Sequence, residues 1–215
     1  MQLPSSLLFL LPYTTVTTAR ALSPRDTPSA LPHITSVTYS GDGCPSSSPG
    51  VERTGAGFGD VGFKLNGFEA SLPGIEHSST NCQIHLQASG CTAGWQVGIQ
   101  SATVKGHLVL DAGASFDWFL TSYWSQDAGA TGTIQGTVSN TGSGRLDQDI
   151  SKTASASAGL VAWSPCARDD GGYLGILNVN FRVALSSASG DQYAFFGKDS
   201  HTPAAESWSY VWRRC

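Results

Sequence analysis

Residues 160–187 read LVAWSPCARDDGGYLGILNVNFRVALSS. The second half alternates: Leu177, Val179, Phe181, Val183 and Leu185 share one parity, Asn178, Asn180, Arg182 and Ala184 the other. Successive side chains of a strand point to opposite faces, so this alternation predicts a half-buried strand. Cys166 stands ahead of it, after Trp163 and Pro165, and reads as a covalent anchor at the entry of the strand. The Asn178/Asn180 face is either the lining of a polar groove or an ordinary solvent face.

Working outward, the same period recurs along the chain. Alternation predicts strands over 34–40, 61–65, 82–88, 95–99, 102–110 and 116–124, and further strands over 147–153, 192–196 and 207–212. Asn66-Gly67 is a strong two-residue turn signal. The strand over 68–72 is therefore either a separate piece or a continuation with a bulge at Gly67. A parity switch near Ser101 predicts a bulge or bend. Residues 129–144 are rich in Gly, Thr and Ser, and read as a weak edge strand, with Ile134 and Val138 inward, followed by a mobile loop. Trp208, Tyr210 and Trp212 fall on one face. Residues 41–59 read as loop. No window carries a helical stripe with caps. Many short strands with Gly-rich turns predict an all-β fold, a single-domain antiparallel β-sandwich of jelly-roll-like form.

Composition narrows the function. The 215 residues are 40% hydrophobic but only 13% charged, against roughly 25% charged in an average globular protein. The surface is therefore neutral and rich in hydroxyls. A net charge of −4 gives no basic footprint and argues against a nucleic-acid partner. Residues 1–21 read as a secretory signal: the apolar run LLFLL at 7–11 is too short to span a bilayer, and Ala19-Arg20-Ala21 is a small-x-small cleavage site, although no Lys or Arg precedes the run. Residues 22–33 read as a flexible Pro-rich leader, and 34–215 as the sandwich. No other apolar run could serve as a transmembrane anchor, and no cofactor motif is present.

The chemistry-bearing residues are scattered. Asp147 and Asp149 share a strand face, Asp169-Asp170 follows Cys166, Asp111 sits in a turn-like LDAG, and Glu69 and Glu76 flank a loop. Glycoside hydrolysis needs two carboxyls facing each other across a cleft, and nothing in these spacings brings a pair together; Asp is also a good turn former. His85 and His107 both lie on the polar parity of their strands. If those strands were adjacent, the two imidazoles and Asp111 would make a metal set. His77 and His201 read as loop residues. No G-x-S-x-G elbow occurs. In FDWFLTSYW, 116–124, aromatic residues occupy both faces, so Trp118, Phe119, Tyr123 and Trp124 cannot all fill one core. Some could present flat apolar surfaces that stack on sugar rings; alternatively Trp118 and Trp124 fill the sandwich.

Tyr39-Ser40-Gly41-Asp42-Gly43-Cys44-Pro45, Asn81-Cys82-Gln83, Gly106, Leu110-Asp111-Ala112-Gly113, the run 160–166 leading into Gly175-Ile176-Leu177-Asn178-Val179-Asn180, and Trp212-Arg213-Arg214-Cys215 occur in an order that resembles the fungal secreted domain-of-unknown-function 4360 family. The resemblance covers about 34–215 and departs at Asn66-Gly67, where members often carry an acidic pair. It implies a secreted β-rich domain with four bridging cysteines, Cys44, Cys82, Cys166 and Cys215, in the favoured order Cys44–Cys82 and Cys166–Cys215, although four cysteines allow three connectivities. Cys91 lies outside that pattern and is the expected odd thiol. The family brings no established activity. The expected function is that of a non-catalytic extracellular protein, associated with cell wall or matrix and able to bind polysaccharide. The alternative is a secreted fungal effector acting on a host surface, and the third reading is a glycoside-hydrolase-like enzyme.

Overall fold

The computed structural model describes residues 27–46, 50–74, 78–157, 159–169, 171–199 and 201–215. The expected signal sequence and residues 22–26 of the leader lie outside the described residues. Among the described residues twelve strands follow in order: β1 (His33–Ser40), β2 (Val51–Thr54), β3 (Gly62–Leu65), β4 (Ala70–Leu72), β5 (Ser79–Ser89), β6 (Trp95–Leu110), β7 (Ala114–Trp124), β8 (Asp127–Ser139), β9 (Leu146–Ser155), β10 (Ile176–Ser187), β11 (Ala194–Gly197) and β12 (Ala204–Arg214). One 3-10 turn, Phe58–Asp60, precedes β3.

Two antiparallel sheets pack face to face. The five-stranded sheet runs β1-β5-β10-β7-β8, and the seven-stranded sheet runs β2-β3-β12-β6-β11-β4, with β9 on the other edge of β6. The alternating strand read first in the sequence, β10, is the middle strand of the five-stranded sheet. Its Leu177, Val179, Phe181, Val183 and Leu185 are all buried, as the parity predicts. Aromatic contacts join the two layers: Phe181 stacks on Phe68 of the β3–β4 connection at 4.9 Å between centroids, and Phe116 of β7 stacks on Phe196 of β11 at 4.4 Å. Aromatic pairs in these geometries contribute about 0.5–1.5 kcal/mol beyond their buried area.

The parity switch near Ser101 is a bulge. On β12, Ser209 pairs with Ser101 and Tyr210 with Ile99, which leaves Gln100 as the extra residue of β6. One segment differs from the sequence reading. Val51–Thr54 forms a strand inside the stretch expected to be loop, paired to β3. Residues 127–139 form the expected edge strand, paired to β7, with Ile134 buried and Val138 packed against the core. Asn66-Gly67 does break the chain into two strands. They are not a hairpin, since β3 pairs with β2 and β12 while β4 pairs with β11.

The disulfides join Cys44 to Cys82 and Cys166 to Cys215. They span 38 and 49 residues, and closing loops of that size in the unfolded chain is worth about 4 kcal/mol each. Cys91 is a buried free thiol whose pKa burial pushes up. Ahead of Cys166, the loop over 160–167 lies against both sheets. Trp124 Nε1 on β7 donates to Ala162 O at 3.2 Å, and Ser164 N donates to Val97 O of β6 at 2.9 Å. Two glycines make room for it. A Cβ on Gly132 of β8 would lie 2.6 Å from Leu160 O, and one on Gly98 of β6 would lie 2.8 Å from Ala162 O.

Among the described residues, one carboxyl group is enclosed in this core. Glu206 of β12 is 2% exposed. Its Oε2 accepts the Trp208 indole N–H at 2.9 Å, while Oε1 has no hydrogen-bond partner. Burial pushes its pKa up to about 8, against the smaller opposing pull of the Trp208 bond. Glu206 is therefore mostly a neutral acid in the folded protein at pH 7 and a carboxylate in the unfolded chain.

Two outcomes follow from this packing. Between its unfolded value near 4.5 and its folded value of about 8, Glu206 holds more proton in the folded state, so its contribution to stability falls as pH rises through that window. Glu206→Gln should flatten this slope, leaving stability at pH 4 nearly unchanged and raising it at pH 8 by a few kcal/mol, since one pKa unit is about 1.36 kcal/mol. Denaturant melts of both proteins at the two pH values measure it, and parallel slopes would refute the assignment. Gly132→Ala should destabilise by about 1–3 kcal/mol through overpacking against the 160–162 loop, read as a lowered midpoint with an unchanged m-value.

Candidate functional site

The outward face of the five-stranded sheet is fixed by the same parity that builds the core. Register places His85, Asn178, Tyr123 and Thr131 in one row across β5, β10, β7 and β8. The next row is Gln83, Asn180, Thr121 and Thr133, and the third is Asn81, Arg182, Phe119 and Gln135. Residues directly opposite across paired strands point to the same side, so these side chains form one patch. Phe119 and Tyr123 are half-buried on it, about 14 Å apart along β7 at roughly 3.4 Å per residue.

The patch is internally bonded. Gln83 Nε2 donates to Tyr123 Oη at 3.0 Å, His85 Nδ1 lies 2.6 Å from Asn178 Oδ1, and Asn178 Nδ2 donates to Ser125 Oγ at 2.8 Å. The Arg182 guanidinium sits 5.7 Å from the Phe119 ring centroid. Asn180 Oδ1 is a buried acceptor with no partner. Thr131, Thr133, Gln135 and Thr137 of β8 are exposed, so hydroxyls and an amide flank the aromatic pair.

The four aromatic residues expected at a ligand surface divide between the two sides of β7. Trp118 and Trp124 are each 1% exposed and belong to the core; Trp124 also holds the 160–167 loop through its indole N–H. They offer no ring face to a ligand, because even and odd positions of one strand cannot share a face.

The metal set His85, His107 and Asp111 is not assembled. His85 lies on β5 of the five-stranded sheet, whereas His107 lies on β6 of the other sheet, so the two are not on adjacent strands. Asp111 serves the turn between β6 and β7. Its Oδ1 accepts the Arg145 Nε–H at 2.7 Å and its Oδ2 accepts the Tyr193 N–H at 2.8 Å. The Arg145 bond, then the Tyr193 bond, holds its carboxyl below the usual range.

His107 instead gathers carboxylates that the sequence did not group with it. Its Nδ1 is 2.9 Å from Asp149 Oδ1 and 3.5 Å from Asp199 Oδ2, and its Nε2 is 3.1 Å from Asp147 Oδ1. His107, Asp149 and Asp199 each offer a ligand atom within 4.8 Å of one another, a spacing compatible with a cation. Asp149 is hydrogen-bonded at Nδ1 and Asp147 lies against Nε2, an arrangement that favours the protonated imidazole. The bond to Asp149 raises the His107 pKa, opposed by desolvation and aided by the three nearby charges. Asp149 is lowered first by the Thr202 hydroxyl, then by His107, and Asp199 by the backbone N–H groups of Thr202 and His201. Asp147 and Asp149 do share a face, as their spacing predicts. Asp169 lies in the loop after Cys166 and Glu69 is exposed near β4, whereas Glu76, His77 and Asp170 lie outside the described residues.

Comparison with known proteins adds three findings. A secreted uncharacterized protein of Arthroderma benhamiae is 27% identical over 188 residues, which span 85% of this chain and 71% of the relative. A solved structure of TmCBM61 in complex with β-1,4-galactotriose matches at 12% identity and a TM-score of 0.23, covering 83% of this chain and 88% of that one. No helix among the described residues is long and apolar enough to cross a membrane. With its two disulfides and its secreted relative, the chain is an extracellular protein. The family model for the domain of unknown function DUF4360 matches residues 31–215, and the chain belongs to that family.

Proposed function

We propose that this secreted sandwich binds neutral polysaccharide of a cell wall or extracellular matrix on the outward face of its five-stranded sheet, without turning it over. The observation that carries the reading is the pair Phe119 and Tyr123, half-buried on the side of β7 opposite the core. Apolar ring faces suit the axial C–H side of a pyranose. The amides of Gln83 and Gln135 and the hydroxyls of Thr131 and Thr133 stand where sugar hydroxyls need donors and acceptors.

The surrounding order supports the same reading. Tyr123 is held by Gln83 and Phe119 lies beside Arg182, so little side-chain freedom remains to be lost on binding. The rows contain amides, hydroxyls and one guanidinium, a composition suited to uncharged hydroxyl-bearing ligands.

Retention of purified protein on insoluble glucan or chitin tests the proposal. The double variant Phe119→Ala/Tyr123→Ala should lose retention, each ring being worth on the order of 1–2 kcal/mol, or about tenfold in Kd. Its thermal midpoint should stay close to the wild-type value. Wild-type retention by the folded double variant, or no retention of the wild-type chain, would sink it.

A further inference from the structure

A second surface lies at the end of the sandwich where the 160–175 segment meets the β7–β8 turn and β12. Two adjoining hollows of about 490 and 280 Å³ share Gln126 and Pro165 and so form one open groove. Arg213 lines one end of it, and Arg168 and Tyr173 the other. Tyr173 is 44% exposed, although most large apolar and aromatic side chains of the protein are covered. Asp127 is the one carboxylate among the lining residues.

Arg213 is arranged in advance for an anion. Its guanidinium carbon sits 4.1 Å from the centroid of the Trp163 ring. Its Nε donates to Gln96 Oε1 at 2.9 Å, and Gln96 is itself anchored by donating to Ser164 O. Among the described residues, no carboxylate pairs with Arg213 or Arg168, and the terminal nitrogens of Arg213 have no protein acceptor. A planar fork clamped by stacking and by one N–H retains the paired donors that a carboxylate engages in bidentate fashion. Trp163 is the plate that orients the fork, and the exposed Tyr173 ring is left as the stacking surface at the other end.

From this geometry we propose that the groove binds an acidic polysaccharide, a chain of uronic-acid residues whose carboxylates pair with Arg213 and Arg168 while one sugar ring lies on Tyr173. Two guanidiniums and one carboxylate line the groove, in a chain of net charge −4. Gln96 and Gln126 supply amides for the ring hydroxyls. The site is separate from the Phe119/Tyr123 face and does not rest on it.

Affinity electrophoresis and titration calorimetry of the full chain test this with polygalacturonate, a neutral glucan of similar length and dextran sulfate. Polygalacturonate should retard the protein more than the glucan does, with affinity that falls as salt rises. Arg213→Gln with Arg168→Gln should weaken polygalacturonate binding at least tenfold and leave neutral-glucan binding unchanged; Tyr173→Ala should weaken it severalfold. Phe119→Ala/Tyr123→Ala should leave polygalacturonate binding intact, so failure at one surface is distinguishable from failure at the other. Should the Arg213 or Arg168 substitution, each two residues from the Cys166–Cys215 bridge, impair folding, Tyr173→Ala carries the test alone. Equal retardation by polygalacturonate and glucan, full binding by the folded variants, or dextran sulfate binding as tightly as polygalacturonate would each overturn the proposal.

Discussion

The inward face of β10 is the constraint on which the structure depends. Five apolar side chains on the middle strand of a sheet need a cover, and the seven-stranded sheet supplies it through Phe68, Phe196 and their neighbours. Burying a large apolar side chain is worth about 1.5–3 kcal/mol, so a one-residue slip of β10, which would turn all five outward, is ruled out energetically. Fixing β10 fixes β5 and β7 beside it, and with them the outward rows that carry Gln83, Asn178, Phe119 and Tyr123.

The end of the sandwich is closed by a different device. The 160–167 loop does not extend either sheet as a strand; it takes an indole N–H from Trp124 on one sheet and exchanges backbone and hydroxyl bonds with Val97 on the other. Gly98 and Gly132 allow the close approach, and Cys166–Cys215 ties the loop to the end of β12. The same loop presents Trp163 to Arg213. A segment that reads in sequence as the approach to a strand thus also builds the wall of a groove.

Much of the fold was legible because its core strands alternate cleanly. The parity of β5, β7 and β10, the bulge in β6 and the antiparallel sandwich all follow from apolar period. What escaped the reading was held by something other than side-chain burial. Val51–Thr54 has little apolar pattern, and backbone pairing to β3 makes it a strand. The site was legible only within a strand. FDWFLTSYW separates Phe119 and Tyr123 from Trp118 and Trp124 by parity, but which side faces the core depends on the partner sheet. Parity also places His85 and His107 outward without saying that they lie on different sheets. The clasp of His107 by Asp149 and Asp199 depends on β9 pairing with β6 and on the β11–β12 connection, two long-range facts that no local period encodes.

The two faces of β7 are therefore parts of one arrangement. Trp118, Leu120 and Trp124 are locked inward at 1%, 0% and 1% exposure, and a strand whose even positions cannot move holds its odd positions still. A binding surface gains affinity when its groups are ordered before the ligand arrives, and side chains on a packed sheet are more precisely placed than side chains on a loop. The large buried indoles, which by composition alone would be the favoured sugar-stacking candidates, contribute by fixing the smaller rings behind which they sit. Tryptophan content is accordingly a poor guide to which rings are exposed in this chain, whereas strand parity combined with sheet order is a direct one.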